Sequence, residues 1–165
     1  MNVIVNSPVN NGETLEIIAF RLHDQEFCVR TTTIREIRGW GPATPIPHAP
    51  ADVIGVMNLR GTVIPIVDLA NKLGMKSTEP NERSAIVVAE VYGMAMGLVV
   101  DRVSDILTIS ASLLQPVPDI SVSSGRRYAD GIIAQPDGMI CFLNLERMFE
   151  ATETQNMTAA KMAAA

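Results

Sequence analysis

Ile54-Gly55-Val56-Met57-Asn58-Leu59-Arg60-Gly61-Thr62-Val63-Ile64-Pro65-Ile66-Val67-Asp68-Leu69 sets two apolar runs on either side of a polar knot. The first run, Val53 to Met57, is interrupted by Gly55, and the second, Val63 to Val67, by Pro65. Short β-branched runs split by a glycine-containing turn predict a β-hairpin, in which Gly61 supplies the positive φ that such turns need. Arg60 then sits at or beside the hairpin tip. Its rigid fork of five donors suits the carboxylates or carbonyls of another protein. Turns are polar for conformational reasons, however, so an arginine on an arbitrary hairpin is merely solvated. The rest of the chain has to decide between these readings.

The chain has 165 residues, enough for one domain or for two small ones sharing a core. With 47% hydrophobic and 19% charged residues, its composition is globular rather than disordered. Eighteen acidic against 13 basic residues give a net charge of −5. No basic run stands out, which argues against nucleic acid or an anionic membrane surface as partner. The longest apolar run, Val91 to Val100, is half of what a spanning helix needs, and the first residues lack the pattern of a signal peptide. A soluble, cytoplasmic protein is expected. Cys28 and Cys141 lie in apolar strand-like runs and read as buried free thiols of a reducing compartment, although the sequence alone leaves a disulfide between them open.

Residues 1–12 read as a loose arm. Alternation predicts a strand over Leu15 to Leu22, with Ile18, Phe20 and Leu22 on one face, and a return strand over Glu26 to Arg30. Thr31-Thr32-Thr33 is expected to cap a short helical segment, Ile34 to Arg38. Four prolines, Pro42, Pro45, Pro47 and Pro50, make 41–50 an ordered connecting loop. After the hairpin, Asp68 to Leu73 reads as a short helix ended by Gly74. Residues 75–83 form a linker. Strands over Ser84 to Val91 and Met94 to Val100 flank a turn at Tyr92-Gly93, and Val103 to Leu107 follows. Residues 110–125 are irregular, with one helical turn over Ser110 to Leu114. A second hairpin turns at Gln135-Pro136-Asp137-Gly138, and Leu145 to Phe149 forms a short helix. The tail, 151–165, carries no apolar stripe.

The two halves share one grammar. Ile34-Arg35-Glu36-Ile37 matches Val103-Ser104-Asp105-Ile106, Gly55-Val56-Met57 matches Gly131-Ile132-Ile133, and Val67-Asp68-Leu69 matches Leu143-Asn144-Leu145. Two units of about 65 residues are too long and too few for a solenoid. The expected fold is therefore all-β with short helices: one domain over 13–150, with a first barrel half at about 13–75 and a second at about 83–150, packed side by side. The copies differ at one hairpin tip, where the first carries Asn58-Leu59-Arg60-Gly61 and the second an ordinary turn. A tip arginine that the duplicated scaffold does not require points to recognition.

No catalytic constellation can be assembled. His23 and His48 lie in a turn and a proline loop without metal-ligand spacing. Ser121, Ser123 and Ser124 belong to no Gly-x-Ser-x-Gly elbow, and Gly55 to Gly61 lacks the lysine and hydroxyl of a phosphate loop. Asp101 and Asp105 read as turn and helix-start carboxylates. No enzyme activity, cofactor or metal is expected.

Glu36-Ile37-Arg38-Gly39, the stretch Gly55 to Gly61 with Val63 to Leu69, and Gly97-Leu98-Val99-Val100-Asp101 with Val103 to Leu107 together resemble the CheW-like family of chemotaxis coupling proteins. The resemblance runs from about Leu15 to Phe149. It implies two five-stranded SH3-like β-barrels around a shared core, and a non-enzymatic adaptor that joins the cytoplasmic tip of methyl-accepting receptors to the histidine kinase CheA. It also implies a receptor groove involving Ile34 and Glu36 from the first barrel with Gly97, Val99 and Val103 from the second, and a partner-facing tip carrying Asn58 and Arg60. Two other readings remain open at this point: a kinase- or receptor-binding competitor without coupling activity, and a small-molecule-binding β-barrel.

Overall fold

The computed structural model describes residues 12–118 and 128–149. Most of the expected arm, the tail, and Ser121, Ser123 and Ser124 lie outside them.

Eleven strands form two sheets among the described residues: β1 (Thr14–Leu22), β2 (Gln25–Arg30), β3 (Ile34–Gly39), β4 (Val53–Leu59), β5 (Thr62–Asp68), β6 (Ala85–Val91), β7 (Met94–Val100), β8 (Arg102–Ser110), β9 (Leu114–Gln115), β10 (Ala129–Gln135) and β11 (Gly138–Leu143). Two four-residue helices, α1 (Leu69–Lys72) and α2 (Leu145–Met148), follow β5 and β11. Each starts on a side-chain cap: Asp68 accepts from the Asn71 amide and Asn144 from the Arg147 amide, satisfying donors the first turn leaves unpaired.

The first sheet runs β8-β1-β2-β11-β10-β9 and the second β3-β6-β7-β5-β4. The sequence halves therefore do not each build their own barrel. The first sheet takes β1 and β2 from the first half and the rest from the second; the second sheet takes β6 and β7 from the second half and the rest from the first. Each half lends its leading hairpin to the other. The reciprocal joints are antiparallel, β3 on β6 and β8 on β1, and the hairpins are joined by short parallel pairs, β5 with β7 and β2 with β11. The duplication explains why sequence could not show this. Equivalent hairpins carry the same pattern, so pairing within a half and exchange between halves satisfy it equally.

Side-chain alternation sorts the apolar residues into three cores. Leu15, Ile17, Ala19, Cys28, Ile133, Ile140 and Phe142 fill the first barrel. Ile64, Ile66, Ile86, Val88 and Val99 fill the second. Between the barrels lies the largest cluster, to which Phe20, Leu22, Val87, Leu98, Leu143 and Phe149 belong. A strand such as β6, buried on both faces, sends Ile86 and Val88 one way and Val87 and Ala89 the other, which is why its sequence reads as an unbroken apolar run. The six strands of the first sheet exceed the five implied by the resemblance because two-residue β9 also pairs.

Ile34 to Arg38 is strand, not helix. Thr31–Thr33 forms a single 3-10 turn, and the β-branched residues that follow pair with β6. Five residues make too few helical bonds to outweigh nucleation, whereas the adjacent ladder satisfies the same backbone groups. The proline-rich loop is ordered as expected: the Thr44 and Val56 amides each donate to the other's carbonyl at 2.8 Å, covering the outer edge of β4. Gly55 is required there, because a Cβ would lie 2.3 Å from the Thr44 oxygen. Cys28 and Cys141 are both free. Burial, with Cys141 second, pushes the Cys28 thiol up to about 12 and raises Cys141 as well, so both stay protonated.

Candidate functional site: the hairpin tip and its acidic partner

Leu59 pairs with Thr62, which leaves Arg60-Gly61 as a two-residue turn. Both residues take positive φ, 51° and 89°, the pattern of a type I′ hairpin turn. Asparagine and glycine are the usual occupants, because a Cβ is disfavoured in this region. The Asn58 side chain steadies the turn by accepting the Gly61 amide at 2.8 Å. Asn58 is exposed, but this contact makes it first of all a turn-forming residue.

The Arg60 guanidinium crosses to Glu36 and holds both carboxylate oxygens, Nη1 to Oε1 at 3.4 Å and Nη2 to Oε2 in close contact. β3 and β4 are opposite edges of the five-stranded sheet, so this contact is possible only because the sheet rolls until its edges meet. A bulge at Arg35 turns Glu36 toward the tip. Arg38 approaches the same carboxylate at 3.7 Å, while Arg35 is held by Glu90 at 2.6 and 2.9 Å. The Arg60 side chain remains 70% exposed and that of Glu36 25%, so the pair can still offer donors to a partner. Arg35, Glu36, Leu59, Arg60, Thr62, Ile64, Val88 and Ala95 line a depression of about 230 Å³ at this mouth of the barrel.

The Arg60 hydrogen bond, reinforced by the charges of Arg60 and Arg38, holds Glu36 below the ordinary glutamate value of 4.5. A carboxylate with a depressed folded pKa stabilises fully above its unfolded value, and that contribution is lost as pH falls through the folded one. In a carboxyl NMR titration, Glu36 is expected to titrate below the ordinary glutamate value, and Arg60→Ala to move it back up. An unchanged Glu36 midpoint in that variant would contradict the clasp.

The other groove residues are distributed differently from the sequence expectation. Val99 is fully buried, and Gly97 is buried beside it in β7, between β6 and β5. Neither offers a surface to a partner. A Cβ on Gly97 would lie 2.7 Å from both Ile66 Cδ1 and Ile86 Cγ2, so the glycine makes room for core side chains. Ile34 and Val103 are half-buried, and both pack on the central cluster. They are equivalent in the repeat but lie toward opposite ends of it. Ile34 aligns with Ala89 near the end of β6, whereas Val103 follows β7, whose Val100 aligns with Ala85 at the other end of β6. Glu36, Asn58 and Arg60 come together; Ile34 lies just before Glu36 on β3, and Val103 lies apart. Sequence reasoning missed the Glu36–Arg60 contact itself. Its only trace is opposite charge at two positions 24 residues apart, which nothing local connects.

The family model for the CheW-like domain matches residues 16–153. This chain belongs to the CheW-like family. A chemotaxis protein CheW of Rhizobium meliloti is 54% identical over 140 residues, 85% of this chain and 90% of that protein. A probable chemotaxis protein CheW of Rhizobium etli is 52% identical over 147 residues, covering 89% and 94%. Among solved structures, the scaffolding protein TtCheW of Thermoanaerobacter tengcongensis superposes with a TM-score of 0.77 at 27% identity, over 86% of this chain and 96% of that one. As a CheW-like protein, the chain is a non-enzymatic scaffold of chemotaxis signalling, with the two-barrel all-β fold of that family. No helix among the described residues is long and apolar enough to cross a membrane.

Proposed function

We propose that this CheW-like protein couples methyl-accepting chemotaxis receptors to the histidine kinase CheA, acting in the cytoplasm at receptor arrays. The observation that supports this most directly is Arg60. It sits in a left-handed turn position, is largely exposed, and is held in one orientation by Glu36 from the far edge of its sheet. A guanidinium already oriented at a protein surface loses less freedom when it binds a partner's carboxylate or carbonyl. The equivalent hairpin tip in the other barrel, Pro136-Asp137, has no arginine, so the fold alone does not account for Arg60. Asn58 acts with it by shaping the turn, and Ile34 supplies apolar surface at the adjacent edge. Val103 supplies such surface at the opposite end of the inter-barrel layer.

The test is reconstitution of kinase activity with receptor, CheA and this protein, each omitted in turn. Receptor control of the kinase is expected only when all three are present. Unchanged control without this protein would overturn the coupling reading.

A further inference from the structure

The pseudo-symmetry separates features that belong to the shared scaffold from those unique to one half. Two residues stand out on the shared side. Leu22 pairs with Gln25, so His23-Asp24 forms the turn between β1 and β2; Val91 pairs with Met94, so Tyr92-Gly93 forms the equivalent turn between β6 and β7. His23 (φ 55°) and Tyr92 (φ 52°) are both left-handed, an uncommon conformation for a residue other than glycine.

Each side chain reaches a segment that follows a strand of the other sheet. Tyr92 Oη donates to the Glu146 carbonyl at 3.0 Å, on α2, which follows the last long strand of the opposite sheet. Within α2 the Leu145 carbonyl accepts the Phe149 amide, and Tyr92 supplies a donor to the next carbonyl along, one of those a helix end leaves open. His23 Nε2 lies 2.6 Å from the Lys76 carbonyl, on the segment leaving α1, again beyond the opposite sheet. A carbonyl only accepts, so Nε2 carries the hydrogen and the ring donates. The His23 amide also donates to Asp101 Oδ2 at 2.7 Å, where the chain crosses from β7 to β8 and so from one sheet to the other. The central cluster between the barrels is apolar and supplies contact area without direction. Hydrogen bonds from both sides supply direction.

We propose that His23 and Tyr92 are positioning residues, a reciprocal pair of latches that fixes how the two barrels are oriented and so the spacing of partner contacts drawn from both. The structural part stands by itself; its consequence for partners rests on the coupling function above. The latches act by holding Glu146 and Lys76, not by touching a partner.

Residual dipolar couplings of the full chain measure the barrel orientation directly. In the parent, one alignment tensor is expected to fit the amides of both sheets. In His23→Ala/Tyr92→Phe, each sheet is expected to fit well by itself while the two tensors diverge. His23→Gln, which keeps a side-chain donor, is expected to bring the fit back toward a single tensor. A single tensor that fits the double variant as well as the parent overturns the latches. Poor fits within each sheet overturn them too, since the residues would then be holding local structure. In the reconstituted assay, each lost bond is expected to weaken assembly with receptor and kinase by roughly twofold to tenfold. Unchanged assembly despite divergent tensors overturns the link to partner binding, while leaving both the latches and the coupling function in place.

Discussion

Arg60→Glu is expected to bind receptor or kinase at least about tenfold more weakly than the parent and to abolish coupling, because it removes an oriented charge-assisted donor and puts a carboxylate in its place. The unfolding midpoint should move little. The Arg60–Glu36 pair lies at the surface, and exposed ion pairs contribute little to folding. The structure adds a control. Arg60→Glu also sets two carboxylates against each other at the barrel mouth, which by itself could disturb the tip. The exchange Arg60→Glu with Glu36→Arg restores opposite charges there but leaves a carboxylate on the hairpin. If the partner reads the arginine, the exchange variant remains defective; recovered binding would show that the clasp, and not its polarity, is what matters. Arg126 and Arg127, natural sequence-based comparison sites, lie outside the described residues. Arg83, exposed in the linker, is a better-placed charge-reversal control and is expected to bind as the parent does. Equal binding of both partners by Arg60→Glu and the parent would remove the tip from the recognition surface.

Val99→Asp is expected to yield no cooperatively folded protein. Val99 is fully buried in the second barrel core among Ile64, Ile66, Ile86 and Val88, where a carboxylate would have no partner. An unpaired buried charge costs several kcal/mol even after relaxation, a large part of the roughly 5–15 kcal/mol that holds a typical domain together. Gly97→Val is expected to act more mildly by overpacking, on the order of 1–3 kcal/mol, since its Cβ would already press on Ile66 and Ile86. Thermal unfolding followed by circular dichroism distinguishes these outcomes from a binding role. A Val99→Asp variant that melts like the parent and merely loses a partner would return Val99 to the groove.

Local pattern determined much of this protein. Alternation placed β1, β2, β6 and β7 and the common face of Phe20 and Leu22. Asp68 and Gly74 marked the ends of α1, and Gly61 marked the turn that brings Arg60 to a tip. Each depends on residues within a few positions of one another, where propensity and hydrogen-bonding geometry act directly. The quoted motifs were also enough to identify the family and, with it, the scaffold function. Ile34 to Arg38 was misread because its few residues suit a capped turn as well as a strand, and only β6 as a neighbour decides. The exchange of hairpins was decided by tertiary structure, since a duplicated pattern is satisfied by either pairing. Burial of Gly97 and Val99 was likewise decided there: a β-branched residue in an apolar run has the same sequence signature whether its strand is central or at an edge. The meeting of Arg60 with Glu36, and the reach of His23 and Tyr92 to segments that follow strands of the opposite sheet, follow from how far each sheet curls and how the two sheets pack, which no local stretch of sequence encodes.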